Sequence, residues 1–121
     1  MRLSHFVRSL ASAMMVLAIT LVTTLTSAQS AHAADPLTVF PLCESTGGGN
    51  FFCDAFASGG TGSYSYSWSG PSTVWFSSSS GVITTGRCRT NQLTPVTVTV
   101  TDSAGNTASG TDYFWCYSTA P

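Results

Sequence analysis

The sequence predicts an all-β protein: a two-sheet sandwich of about seven strands, stapled by two disulfides and preceded by a signal peptide. Three observations predict it. Apolar and polar residues alternate with a period of two, and no stretch shows helical periodicity. Gly- and Ser-rich turns separate the alternating runs. Four cysteines (Cys43, Cys53, Cys88 and Cys116) lie in the part of the chain that follows the leader. An even cysteine count in a short exported chain reads as a disulfide framework.

The leader is read from its three parts. Arg2 and Arg8 make a basic start, Leu10 to Leu25 is apolar apart from Ser and Thr, and Ala31-His32-Ala33 offers small residues at the cleavage positions. This pattern is a signal peptide over residues 1–33, with cleavage expected between Ala33 and Ala34. The apolar run is shorter than the ~20 residues of a spanning helix, so no membrane attachment is expected after cleavage. The predicted localisation is secreted and extracellular.

Residues 34–121 then make one domain, near the size at which a hydrophobic core alone is marginal. It carries five acids (Asp35, Glu44, Asp54, Asp102 and Asp112) against two bases, Arg87 and Arg89. With no basic patch, nucleic acid is not an expected partner.

The strands follow in order. Leu37 to Cys43 is an edge strand, because Pro41 cannot donate to a ladder. Thr46 to Gly49 is a turn, and Phe51 to Ala57 is the second strand. After Gly59-Gly60-Thr61-Gly62, the run Ser63 to Ser69 puts Tyr64, Tyr66 and Trp68 on one face and its serines on the other. Thr73 to Phe76 is a short strand, Ser77 to Gly81 a polar loop, and Val82 to Arg87 a further strand. Val96 to Thr101 places valines inward and threonines outward. Asp102 to Asn106 is a hairpin turn, with Thr107 to Tyr117 returning.

The hairpin geometry also orders the cysteines. Cys43 and Cys53 are symmetric about Gly48, so they should lie opposite each other on paired strands, within disulfide range. Cys88 and Cys116 then fall near one end of the last hairpin. The rival scheme joins Cys53 to Cys88 or Cys116 across the sheets. Zinc is the competing use of four cysteines, but there is no C-x-x-C pair and no His beyond the leader, so no metal site is expected.

One resemblance emerges from these runs. Cys53-x-Ala55-x-Ala57-x-Gly59-Gly60, then Tyr64-x-Tyr66-x-Trp68, then Val96-x-Val98-x-Val100-x-Asp102-x-x-Gly105 resemble the bacterial immunoglobulin-like and PKD-like domains of small secreted proteins. The match spans Phe51 to Cys116. Trp68 is followed by Ser69-Gly70-Pro71, where PKD domains carry a Phe-Gly-Asp-Gly-like turn. The resemblance implies an immunoglobulin-like sandwich with Trp68 in its core. It also implies binding, spacing or adhesion rather than catalysis.

The chemistry of the chain points the same way. Beyond the leader there is no His and no Lys, so Ser-His-Asp, Cys-His and Schiff-base mechanisms are absent. The acids are scattered and fall in no catalytic motif, and no enzyme activity or cofactor is expected. Asp102 and Asn106 read as turn residues that bond nearby backbone rather than as calcium ligands.

The aromatic residues of the last strand are the candidate binding site. If Cys116 points inward to its partner, Phe114 does too, and Tyr113, Trp115 and Tyr117 face outward. Exposed aromatic rows stack on sugar rings or anchor protein partners. The alternative is that a neighbouring segment, Trp75-Phe76, covers them. The expected function is therefore a secreted, non-enzymatic binding module whose partner is an extracellular polysaccharide or protein. Two rivals stand beside it: carbohydrate or cell-wall binding through the exposed aromatics, and a small enzyme inhibitor. The inhibitor would need a rigid exposed loop, for which Thr85-Gly86-Arg87-Cys88-Arg89 is the candidate.

Overall fold

A computed structural model describes residues 34–119; the signal peptide expected over residues 1–33 lies outside the described residues. Among the described residues there are seven strands: β1 Thr38–Gly47, β2 Asn50–Ser58, β3 Tyr64–Ser69, β4 Val74–Phe76, β5 Ile83–Cys88, β6 Gln92–Asp102 and β7 Thr107–Cys116. They form two antiparallel sheets, ordered β1-β2-β5-β4 and β3-β6-β7. This division into four and three strands, in this order, is that of an immunoglobulin-like sandwich.

The core is the set of inward positions of both sheets. Val96, Val98 and Val100 are fully buried, as β-branched residues on a pleated inner face should be. Trp68 is buried opposite Val98 on the neighbouring strand, and its indole N–H donates to the Gly81 carbonyl at 2.9 Å. Phe51 fills the centre, 5.5 Å from the Phe114 ring and 5.7 Å from Phe76 in an edge-on contact. Gly86 sits beneath it. A Cβ there would lie 2.8 Å from the Phe51 ring and would strike the Trp75 carbonyl, so only glycine fits.

Two strands run further than the sequence predicts. β1 continues past Cys43 to Gly47, because its pairing with β2 survives a bulge between Ser45 and Gly47. β6 begins at Gln92 rather than Val96, and Thr94 is fully buried. Pro95 is tolerated within it because β3 pairs with β6 only from Thr97 onward. On that side the Pro95 carbonyl faces Gly70, which lies beyond the end of β3. A residue without an N–H therefore costs no ladder bond.

Both predicted disulfides form. Cys43–Cys53 links directly opposed residues of β1 and β2, with α-carbons 4.1 Å apart. Cys88–Cys116 spans 6.2 Å between α-carbons and joins β5 of one sheet to β7 of the other. This second bridge ties the sheets together at their ends, not through the middle of the core.

One flank of the sandwich is closed by β1 lying along β7. The Cys43 N–H donates to the Asp112 carboxylate at 2.7 Å. Gly110 lets the chains meet: a Cβ there would lie 2.7 Å from both Pro41 Cδ and the Val39 carbonyl oxygen. The Tyr117 N–H donates to Ser45 Oγ at 3.0 Å, and its carbonyl accepts from Gly49 N–H. The last strand is thus held from both sides.

Candidate binding surface

The alternation of β7 sets the geometry of the site. Phe114 and Cys116 are 7% and 0% exposed, while Tyr113, Trp115 and Tyr117 are 62%, 46% and 45% exposed. The cross-sheet disulfide fixes the inward parity at Cys116, and period-two alternation turns Tyr113 and Trp115 to solvent. Trp75 and Phe76 do not cover them. They lie on β4 in the opposite sheet, where Trp75 pairs with Arg87 and is itself exposed.

Two neighbours escaped the sequence reading, because β6 was not expected to reach them. Leu93 stands opposite Trp115 and Pro95 opposite Tyr113. Leu93 is exposed, so the apolar strip is two strands wide at this end.

Along the same face the chemistry changes from rings to hydroxyls. Thr97 and Thr111 share a hydrogen bond of 2.7 Å, and Thr99 and Ser109 one of 2.8 Å. Ser67 and Ser69 continue these rows onto β3, opposite Thr99 and Thr97. None of the outward positions of β3, β6 or β7 carries a charged side chain.

The opposite sheet has a different outer face. Phe40 pairs with Phe56 across β1 and β2, Leu42 pairs with Asp54, and Ile83 flanks Asp54 from β5. Phe40, Leu42, Phe56 and Ile83 are all exposed. Charges are interspersed among them at Glu44, Asp54 and Arg87. The signal for this face was present in the sequence. Cys43 and Cys53 fix the inward parity of β1 and β2 as Cys116 does for β7, which sends Phe40, Leu42 and Phe56 outward.

Asp102 and Tyr64 are engaged in holding the fold. The Asp102 carboxylate accepts from the N–H groups of Thr61, Ala104 and Asn106 and from the Asn106 side chain, at 2.8–3.0 Å. The Asn106 amide, then the backbone donors, outweigh desolvation and hold its pKa below the usual carboxylate range. Gly105 supplies the positive φ that the turn needs. Tyr66 is pushed up, first by burial and then by the neighbouring Tyr64, whose ring is 6.5 Å away. The Tyr64 hydroxyl donates to the Gly59 carbonyl at 2.6 Å.

The segment considered as an inhibitory loop is not a loop. Thr85 to Cys88 belongs to β5, which pairs with β2 on one side and β4 on the other. A protease needs an extended backbone with free edges, and this one has neither edge free.

No protein-family model, curated protein or solved structure matches the chain.

Proposed function

We propose that this chain is an exported, non-catalytic binding module, of PKD-like type within the immunoglobulin-like sandwiches. It holds an extracellular partner against the outer face of β6 and β7, at Tyr113, Trp115 and Tyr117. The observation that carries this reading is the exposure of Tyr113 and Trp115 beside Leu93. Rigid aromatic rings on a strand anchor partners at little entropic cost, because the backbone beneath them is already fixed. Export is supported by the leader pattern and by the two disulfides, which persist in oxidising compartments. The absence of His and Lys beyond the leader, and the engagement of Asp102 and Asp112 in hydrogen bonds, support a role without catalysis. No cofactor enters the reading.

Secretion by the native host followed by N-terminal sequencing tests the export half, with Ala34 as the expected first residue. Recovery of the full-length chain in membranes would overturn it. Retention of the purified protein on host or neighbouring cell envelopes tests the binding half. Trp115→Ala should abolish retention and leave the melting temperature nearly unchanged, whereas Trp75→Ala should be retained like the wild type. Unfolding of the Trp115→Ala protein would make Trp115 a core residue and end the proposal.

A further inference from the structure

We infer that the ligand of the β3-β6-β7 face is an uncharged polysaccharide. Its sugar rings would stack on Tyr113 and Trp115, and its hydroxyls would meet the Thr97–Thr111 and Thr99–Ser109 pairs. This inference rests on the reading of that face as a binding surface and names what it binds.

The two chemistries are continuous along the strands. Tyr113, Thr111 and Ser109 follow one another at alternate positions of β7, so their side chains stand in one line at a spacing of ~6.8 Å. Leu93, Pro95, Thr97 and Thr99 form the parallel line on β6, ~4.8 Å away. An extended polymer laid along the strands therefore meets rings first and hydroxyls next, without crossing a charge. A pyranose has apolar C–H faces and a polar equatorial rim. It matches such a surface in both respects, whereas a purely apolar ligand would leave the hydroxyl rows unpaired.

The hydroxyl pairs are oriented before any ligand arrives. Each Ser or Thr hydroxyl has one donor and two acceptor sites. In Thr97–Thr111 one hydroxyl donates to the other, so each pair turns one remaining donor and several acceptors toward solvent. The same holds for Thr99–Ser109. The mutual bond fixes both rotamers, which lowers the ordering cost of binding.

The competing ligands fit this face less well. An anionic polymer needs bases, and the two beyond the leader, Arg87 and Arg89, lie on or just after β5 in the other sheet. Protein interfaces are depleted in Ser and enriched in Arg, Met and aromatic residues. The mixture of Phe, Leu, Trp and Arg on the opposite sheet is closer to that composition than the hydroxyl rows are.

The test is depletion of the intact secreted protein from solution by microcrystalline cellulose, chitin and insoluble β-1,3-glucan, with alginate beads as the anionic control. Binding to at least one neutral polymer is expected. It should persist at roughly 1 M salt, where exposed charge interactions are screened. Trp115→Ala and Tyr113→Ala should each weaken it about tenfold or more, equivalent to ~1.4 kcal/mol. The paired isosteric change Thr97→Val with Thr111→Val should weaken it severalfold while the melting temperature stays within a few degrees. Thr99→Val with Ser109→Ala provides a second, independent removal of hydroxyls, and Trp75→Ala should bind normally. Failure to bind any neutral polymer, or undiminished binding after both hydroxyl removals, overturns the polysaccharide inference. If the polymers fail but a protein partner is captured in a Trp115-dependent way, the binding surface stands and its ligand class is wrong. If Trp115→Ala changes neither, both readings fall.

Discussion

The β1–β2 and β6–β7 hairpins are made of the longest strands among the described residues, and each sends aromatic residues outward. They hold their registers by different means. The first turns through Gly47, Gly48 and Gly49, all with positive φ, and a disulfide joins its opposed residues Cys43 and Cys53. The second has no covalent link between its own strands. Its turn is drawn together by the Asp102 carboxylate, and its far end is tied to β5 by Cys88–Cys116. Register matters here because a slip of one residue exchanges the two faces of a strand. In the second hairpin such a slip would bury Tyr113 and Trp115 and expose Phe114. The exposed aromatic face is therefore only as well defined as the carboxylate turn and the cross-sheet bridge that hold it.

That difference predicts unequal losses when the bridges are removed. The two bonds span sequence separations of 10 and 28 residues. On a chain-entropy account they contribute about 2.7 and 3.6 kcal/mol respectively. Guanidinium unfolding of Cys43→Ala with Cys53→Ala should therefore show a smaller loss than Cys88→Ala with Cys116→Ala. The gap should widen because the ladder between β1 and β2 already opposes Cys43 to Cys53. A reversed order would mean that the covalent link, not the ladder, sets the register of the first hairpin.

Acid should separate the hairpins in the opposite sense. The pKa of Asp102 is lower in the folded chain than its ordinary value of about 3.9. Its contribution is then present above that ordinary value and is lost as pH falls from about 4 through the lowered native value. The melting temperature should decline over this range, and Asp102→Asn should flatten the decline while lowering stability at neutral pH. Amide exchange should show the protection of Thr61, Ala104 and Asn106 falling before that of the β1–β2 ladder. Loss of both hairpins at the same pH would show that the turn is not an independent weak point.

The alternation that placed these elements was legible residue by residue. Val96-Thr97-Val98-Thr99-Val100-Thr101 can only be a half-buried strand, and the symmetry of Cys43 and Cys53 about Gly48 carried their pairing. The start of β6 was not legible, because Pro95 argues against a strand unless the neighbour on its N–H side is known to end. The outer face of the β1-β2-β5-β4 sheet was missed for a related reason. In Leu37 to Cys43 the apolar residues fall on both parities, so periodicity alone could not choose a face. The parity imposed by Cys43 does choose one. The hydroxyl pairs of β6 and β7 depend on cross-strand register, which no single strand encodes.

The smallest effects on stability are expected on the outer faces, and they sharpen the comparison most. Trp115 stands opposite Leu93 on one hairpin and Phe40 opposite Phe56 on the other, all four exposed. Cross-strand pairs of this kind contribute roughly 0.2–1 kcal/mol, well below either disulfide. Trp115→Ala and Phe40→Ala should therefore lower the denaturation midpoint slightly and by similar amounts, with no change in the slope of the transition. Their consequences for binding should differ completely. Trp115→Ala removes the aromatic end of the uncharged face, while Phe40→Ala alters a sheet on the other side of the core. Equal stability losses with unequal binding losses would assign the two faces different tasks. Equal binding losses would show that the partner reaches around the sandwich to both, and the distinction between the hairpins would then be one of folding alone.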